Sequence, residues 1–323
     1  MGSDGRPVPD VAGSVLAARE HKDITLILIG DEPRIADELS KHDVAGLDIN
    51  IRHAAEEISM TDKPSEVIKG KPESSIHVGI RMVRNGEADA FVTAGNTGAA
   101  MGIAMLRRVG LGRIPGVKRP ALGAVFPIKT RPFLIDGGAN ADCRPEQLLQ
   151  FGIMGSLYIE RVAGIPNPRV GLMSNGSEEG KGNALIREAH ELLKASDLNF
   201  VGNIEPKDFA NGDVEVAVTD GFTGNIIIKA SEAIASYIKD RLREEIDASK
   251  RATVGALFAR NAFKAVADDA NADVVGGVPL LGVNGVVVIA HGGSSERAIW
   301  QAIDKARLAV EHKIVDAIRD GLA

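Results

Sequence analysis

Short apolar runs alternate along the chain with longer stretches whose apolar residues recur every three to four positions. That is the pattern of buried strands exchanged with amphipathic helices. Strands are predicted at 24–29, 47–53, 88–93, 122–126, 133–135, 169–173, 200–204, 214–219 and 286–290. Helices are predicted at 10–20, 32–41, 75–84, 99–109, after Pro145, and at 184–195, 226–247, 253–267 and 297–318. The punctuation agrees: Ser74-Ser75 can cap one helix, Asn85-Gly86 ends it, and Pro145 suits a first turn.

The link Lys129-Thr130-Arg131 is too short for a crossover helix, so 122–126 and 133–135 should pair antiparallel. Elsewhere strand and helix alternate, which predicts an α/β fold in three layers: a mostly parallel sheet with helices on both faces. No clear linker divides 1–323, so a single unit with a central cleft is expected. The helical run at 226–267 reads as a protruding hairpin. Five Gly-rich strand exits should then share the carboxyl edge, where open α/β sheets bind ligands.

Two of those exits are alike. Val92-Thr93-Ala94-Gly95-Asn96-Thr97-Gly98 and Val218-Thr219-Asp220-Gly221-Phe222-Thr223-Gly224 share Val-Thr-x-Gly-x-Thr-Gly between a strand and a helix. Helix starts point free N–H groups and a positive dipole end outward, so the pair reads as two anion-holding turns of one site, or as common turn chemistry. Gly176 to Gly182 spells Gly-x-x-x-Gly-Lys-Gly, one residue short of a nucleotide phosphate loop and without its Ser or Thr. No Gly-x-Gly-x-x-Gly follows a strand either. Lys181, flanked by glycines, is an anion ligand or an ordinary exposed lysine. Asn225 is an oxyanion donor or a helix cap. His291 is a candidate base or phosphate donor, or a lone histidine that does neither. Cys143 near a helix start is a weak candidate thiol with no histidine beside it in sequence. Asp268, Asp269 and Asp273 lack further ligand spacing, and no metal site is expected.

Composition narrows the partners. Few aromatics and a net charge of −6 argue against nucleic acid. One cysteine excludes an internal disulfide and fits a reducing cytosol. Charge is uneven: 90–135 holds no Asp or Glu but does hold Arg107, Arg108, Arg113, Lys118, Arg119, Lys129 and Arg131. That stretch is a candidate dock for an acidic partner. A second acid-free stretch at 248–267 is basic on one side and apolar on the other, the pattern of a lipid-facing or dimer-packing segment.

Six motifs in this order resemble the PlsX family of bacterial phosphate acyltransferases: Ala94-Gly95-Asn96-Thr97-Gly98-Ala99, Arg119-Pro120-Ala121-Leu122, Asp136-Gly137-Gly138-Ala139-Asn140, Gly180-Lys181-Gly182-Asn183, Thr219-Asp220-Gly221-Phe222-Thr223-Gly224-Asn225 and Ala290-His291-Gly292. The resemblance implies acyl transfer from acyl carrier protein to inorganic phosphate for glycerophospholipid synthesis, without a cofactor. It also implies a fold similar to isopropylmalate dehydrogenase and phosphotransacetylase, and a homodimer resting on the inner face of the cell membrane through 248–267. By motif position Lys181 and Asn225 look like the catalytic pair. Gly95, Asn96, Thr97, Gly98, Asn140, Gly180, Gly182, Asp220, Gly221, Thr223, Gly224 and His291 would bind phosphate and substrate. Members of that family usually begin with an extra strand running into Asp-Ala-Met-Gly-Gly-Asp. This chain begins within that motif at Met1-Gly2-Ser3-Asp4, so a strand and an acidic residue are expected to be missing.

Overall fold

The computed structural model describes residues 3–269 and 276–322; Asp273 and the side chains of Asp268 and Asp269 lie outside what is described. Ten strands form two sheets among the described residues. β1 (Leu26–Gly30) and β2 (Ile49–His53) make a parallel pair of their own. The main sheet contains β3 (Ala90–Thr93), β4 (Ala121–Val125), β5 (Phe133–Ile135), β6 (Val170–Met173), β7 (Phe200–Ile204), β8 (Val216–Val218), β9 (Gly277–Leu281) and β10 (Val286–Ala290). Their order is β3-β10-β9-β4-β5-β8-β6-β7. A cavity of about 760 Å³, lined by 23–29 and 87–94, separates β1 from β3.

The predicted α/β class holds, with one correction that matters for function. β4 and β5 are antiparallel as predicted, but β9 is also antiparallel to both β10 and β4. β5, β8, β6 and β7 therefore run opposite to β3 and β10. The Gly-rich exits do not share one edge. Those of β3 and β10 lie at one edge of the sheet, and those of β5, β8 and β6 lie at the other. β9 was not predicted; Pro279 interrupts its apolar run and argues against a central strand.

Alternation along the strands divides the core. Ala121, Phe133, Ile135, Val216 and Val218 face one large cluster, covered by α1 (Val8–Glu20), α6 (Pro145–Val162), α7 (Ala184–Lys194), α12 (Glu296–Glu311) and α13 (Ile314–Gly321). The opposite face carries two separate clusters. Leu122, Leu280, Val287 and Ile289 pack with α4 (Ser75–Asn85) and α5 (Thr97–Met105). Leu134, Ala217 and Met173 pack with Phe209 of α8 (Pro206–Asn211) and with Ile227 and Ile228. A seam over β4 and β5 divides these two clusters, and Ala139 packs on its α5 side. α2 (Glu32–Leu39) covers the small sheet and α3 (Pro64–Gly70) abuts α5.

The long helix α9 (Gly221–Asp247) starts five residues earlier than predicted, because Asp220 caps it by accepting from the Thr223 N–H. Only Gly221 and Gly224 of α9 are buried. Beyond them Ile234, Tyr237, Ile238 and Leu242 are exposed, as are Val254, Leu257 and Phe258 of α10 (Lys250–Phe258) and Val266 of α11 (Arg260–Asp269). The predicted closing helix is divided into α12 and α13 at Lys313, which takes a left-handed backbone.

Candidate active site

Asp136, at the exit of β5, is fully buried. Its Oδ1 accepts from the N–H groups of Leu122 (3.0 Å), Gly138 (3.0 Å) and Ala139 (2.9 Å). Its Oδ2 accepts from the Asn140 N–H (2.7 Å) and the Asn140 side-chain amide (2.8 Å). Burial pushes this carboxyl up from the ordinary carboxylate range, and the hydrogen bonds oppose the shift. The second Asn140 amide hydrogen goes to the Pro120 carbonyl (2.8 Å), so the loop is tied to the start of β4.

The root of α9 rests on this loop. Gly221 N–H donates to the Asn140 carbonyl (2.8 Å). A Cβ at Gly221 would fall 2.7 Å from Asn140 backbone atoms, and one at Gly224 would fall 1.9 Å from the Asp136 carbonyl. Both positions therefore need glycine for close backbone approach rather than for a turn. Thr223 donates its hydroxyl to Asp220 (2.8 Å). Asn225 follows, exposed, its side chain beside Gly138.

This arrangement sorts the predicted residues. Asn140 uses both amide hydrogens within the protein, and Asp220 and Thr223 are engaged with each other, so these three shape the site rather than offering donors to an anion. Among the described residues, only the Phe222 N–H is left without a partner in the first turn of α9. The loop after β6 differs. There Gly182 N–H donates to Asn175 Oδ1 (2.9 Å) and Lys181 N–H to the Glu178 carbonyl (3.0 Å), while the N–H groups of 175–180, Gly180 included, have no partner among the described residues. The ammonium of Lys181 and the amide of Asn225 are likewise free of hydrogen bonds and ion pairs. Their strands, β6 and β8, are neighbours at one edge.

Gly95, Asn96, Thr97, Gly98 and His291 lie at the opposite edge, and no hydrogen bond joins them to 136–140 or 220–225 among the described residues. Asn96 is a cap and a staple: Oδ1 accepts from the Ala99 N–H (3.0 Å), and its amide donates to the carbonyls of Ser59 (3.2 Å) and Asp62 (3.0 Å). Its side-chain amide has no hydrogen to spare for substrate. Thr97 and Gly98 keep free N–H groups at the start of α5. His291 Nδ1 accepts from the Gly293 N–H (3.2 Å), which in the neutral ring puts its proton on Nε2. Although the exits sit at opposite edges, α5 and α9 cover the same face, one on each side of the seam.

Sequence reading left two participants unassigned: Asp136, whose partners are known only once β4 and β5 are paired, and the free N–H run at 175–180. Cys143, an isolated cysteine expected to pack rather than react, is half-buried. Burial, aided by the nearby carboxylates of Asp136, Asp220 and Asp142, pushes it up to about 11, which keeps it protonated at neutral pH. No cluster of metal-ligating side chains occurs among the described residues.

A family model described as fatty acid synthesis protein matches residues 1–316. The phosphate acyltransferase of Syntrophotalea carbinolica is 47% identical over 98% of this chain and 91% of its own length. That of Pelotomaculum thermopropionicum is 45% identical over 100% and 93%. Among solved structures, a phosphotransacetylase from Streptococcus pyogenes aligns with a TM-score of 0.61 at 20% identity, over 96% of this chain and 92% of its own, a likeness of fold. The chain belongs to the fatty acid synthesis protein family, the family whose motifs it carries in order from Gly95 to His291.

Proposed function

We propose that this protein is an acyltransferase that moves a long-chain fatty acyl group from acyl carrier protein to inorganic phosphate, giving an acyl phosphate for glycerophospholipid synthesis. The carrying observation is that Lys181 and Asn225 follow neighbouring strands with side chains free of partners among the described residues, while the side chains of Asn140, Asp220 and Thr223 are occupied. Phosphate is held by the ammonium of Lys181 and the unpaired N–H groups at 175–180, with Gly180 and Gly182 allowing close approach. One phosphate oxygen attacks the thioester carbonyl carbon, and the carbonyl oxygen becomes the oxyanion of a tetrahedral intermediate. Collapse breaks the C–S bond and releases the carrier thiolate.

Asn225 donates to that oxyanion, a role worth about 3 to 4 kcal/mol when well aligned. Phosphate is already anionic at neutral pH, so no general base is required, and juxtaposition supplies much of the acceleration. Asp136, Asn140, Asp220, Gly221, Thr223 and Gly224 keep the root of α9 in place. Gly95, Thr97, Gly98 and His291 furnish the wall across the seam. The exposed apolar residues of α9, α10 and α11 support self-association of the stem as a homodimer and contact of 248–267 with an anionic membrane surface. No described helix is long and apolar enough to cross a membrane.

Trapping acyl phosphate with hydroxylamine tests the reading. Long-chain acyl carrier protein plus phosphate should give product, and Lys181→Ala should lose it while melting normally. The fold likeness to phosphotransacetylases supports one rival, a short acyl-CoA donor. Preference for acetyl-CoA in the same trap would overturn the long-chain assignment.

A further inference from the structure

The cations of 90–135 divide between the two edges of the sheet. Arg107, Arg108, Arg113, Lys118 and Arg119 occupy the segment from the end of α5 to the start of β4. Arg113 bridges Val283, just past the end of β9, at the edge where β5, β8 and β6 exit. Lys129 and Arg131 occupy the β4–β5 turn at the other edge, roughly 17 Å away for a strand of this length.

The first group is exposed and without ion pairs among the described residues, unlike Arg52, Arg81, Arg169, Lys194 and Arg307, which are paired. Arg144, exposed at the start of α6, adds a further unpaired cation. Asp142 and Glu146 are the nearest acids in sequence. The segment is held in place: Lys118 N–H donates to Gln150 Oε1 (2.8 Å), and Gln150 donates to the Gly116 carbonyl (3.0 Å). It is also coupled to the site. Arg119 precedes Pro120, whose carbonyl holds Asn140, whose carbonyl in turn holds Gly221.

Unpaired like charges crowded on one rigid segment repel one another, and they are relieved by a partner of opposite charge. We propose that Arg107, Arg108, Arg113, Lys118, Arg119 and Arg144 form the docking surface for the acidic acyl carrier protein, which lays a carboxylate-rich face on them and delivers its thioester to Lys181 and Asn225. Lys129 and Arg131 take no part. The assignment rests on the acyl-transfer reading above and names where its donor binds.

The experiment compares the chain with Arg107→Glu/Arg108→Glu/Lys118→Glu and with Lys129→Glu/Arg131→Glu. KM and kcat are measured for acyl carrier protein and for acyl-pantetheine, a thioester with no protein surface, over a range of NaCl. Binding of labelled holo carrier protein is followed separately by fluorescence anisotropy. The triple variant should raise KM for the carrier at least about tenfold and flatten its salt dependence, leaving kcat and the acyl-pantetheine KM unchanged. The double variant should match the parent. Equal loss in both variants, an unchanged carrier KM, or an equal rise for acyl-pantetheine would overturn the proposal. If the parent turned over neither donor, the acyl-transfer reading would fall. Anisotropy would then decide the docking surface alone, with unweakened carrier binding to the triple variant counting against it.

Discussion

Replacing Asp136 by asparagine changes one atom and should unsettle the whole root of α9. The five N–H donors around the carboxylate point at acceptors only: three at Oδ1 and two at Oδ2. Asparagine keeps one carbonyl oxygen and offers an NH2 in the other position. In the better orientation that NH2 faces the backbone and side-chain N–H groups of Asn140, leaving two buried donors unsatisfied at about 1 to 3 kcal/mol each. Loss of the buried charge relieves some desolvation, since burial already pushes the carboxyl up. A net destabilisation of about 2 to 5 kcal/mol is expected, a large part of a typical total of about 5 to 15 kcal/mol. In urea the midpoint should fall by about 1 M or more with the slope unchanged. Asp136→Ala, which removes every acceptor, should be worse still. A fall of under about 0.3 M for Asp136→Asn, or a more stable alanine variant, would refute the reasoning that this carboxylate holds the loop.

Other consequences follow from the same packing. Gly224→Ala gains about 1 kcal/mol of helix propensity but forces a methyl to 1.9 Å from the Asp136 carbonyl, so it should lower the melting temperature. Gly255→Ala in α10, where nothing lies within 4 Å, should raise it slightly. Cys143, its thiol pushed up to about 11, should react slowly with iodoacetamide at pH 8, and Cys143→Ser should retain activity. The Asp62 carboxyl is lowered, chiefly by its hydrogen bond to Lys71, and its loop also holds Asn96. A lowered carboxylate stabilises the fold fully above its ordinary value of 3.8 and loses that contribution as pH falls through the folded value. Hydrogen exchange at 59–62 should therefore rise on acidification below that range, and Asp62→Asn should abolish the acid step.

The strands were legible because burial on both faces writes continuous apolar runs such as Val286-Val287-Val288-Ile289-Ala290. One cap was legible in residue type, Ser74, which accepts from the His77 N–H, with left-handed Gly86 ending that helix; Asn96 and Asp220, read as substrate ligands, prove to be caps as well. Strand direction was not. With β9 hidden by Pro279, its antiparallel pairings to β10 and β4 go unread, and the Gly-rich exits are then assigned to one edge. Nor does local sequence reveal which donors are spent. Asn140 reads as a substrate ligand until Pro120 and Asp136, 20 and 4 residues away, are found to hold both its amide hydrogens.

That accounting changes what the twin Gly-x-Thr-Gly turns are for. A helix start attracts an anion only if its first N–H groups face solvent, and in α9 two carboxylates, Asp136 and Asp220, lie directly beneath them. An incoming phosphate would meet that negative charge with little backbone compensation, since one N–H, that of Phe222, remains free in the turn. On the acyl-transfer reading proposed above, the attraction comes from the side, from the ammonium of Lys181 and the unspent N–H groups at 175–180, and repulsion from beneath keeps the anion off the α9 root, leaving Asn225 for the oxyanion. The glycines at 221 and 224 serve packing, and the division of labour between a saturated scaffold and an unsaturated loop is set by where the donors have already been used.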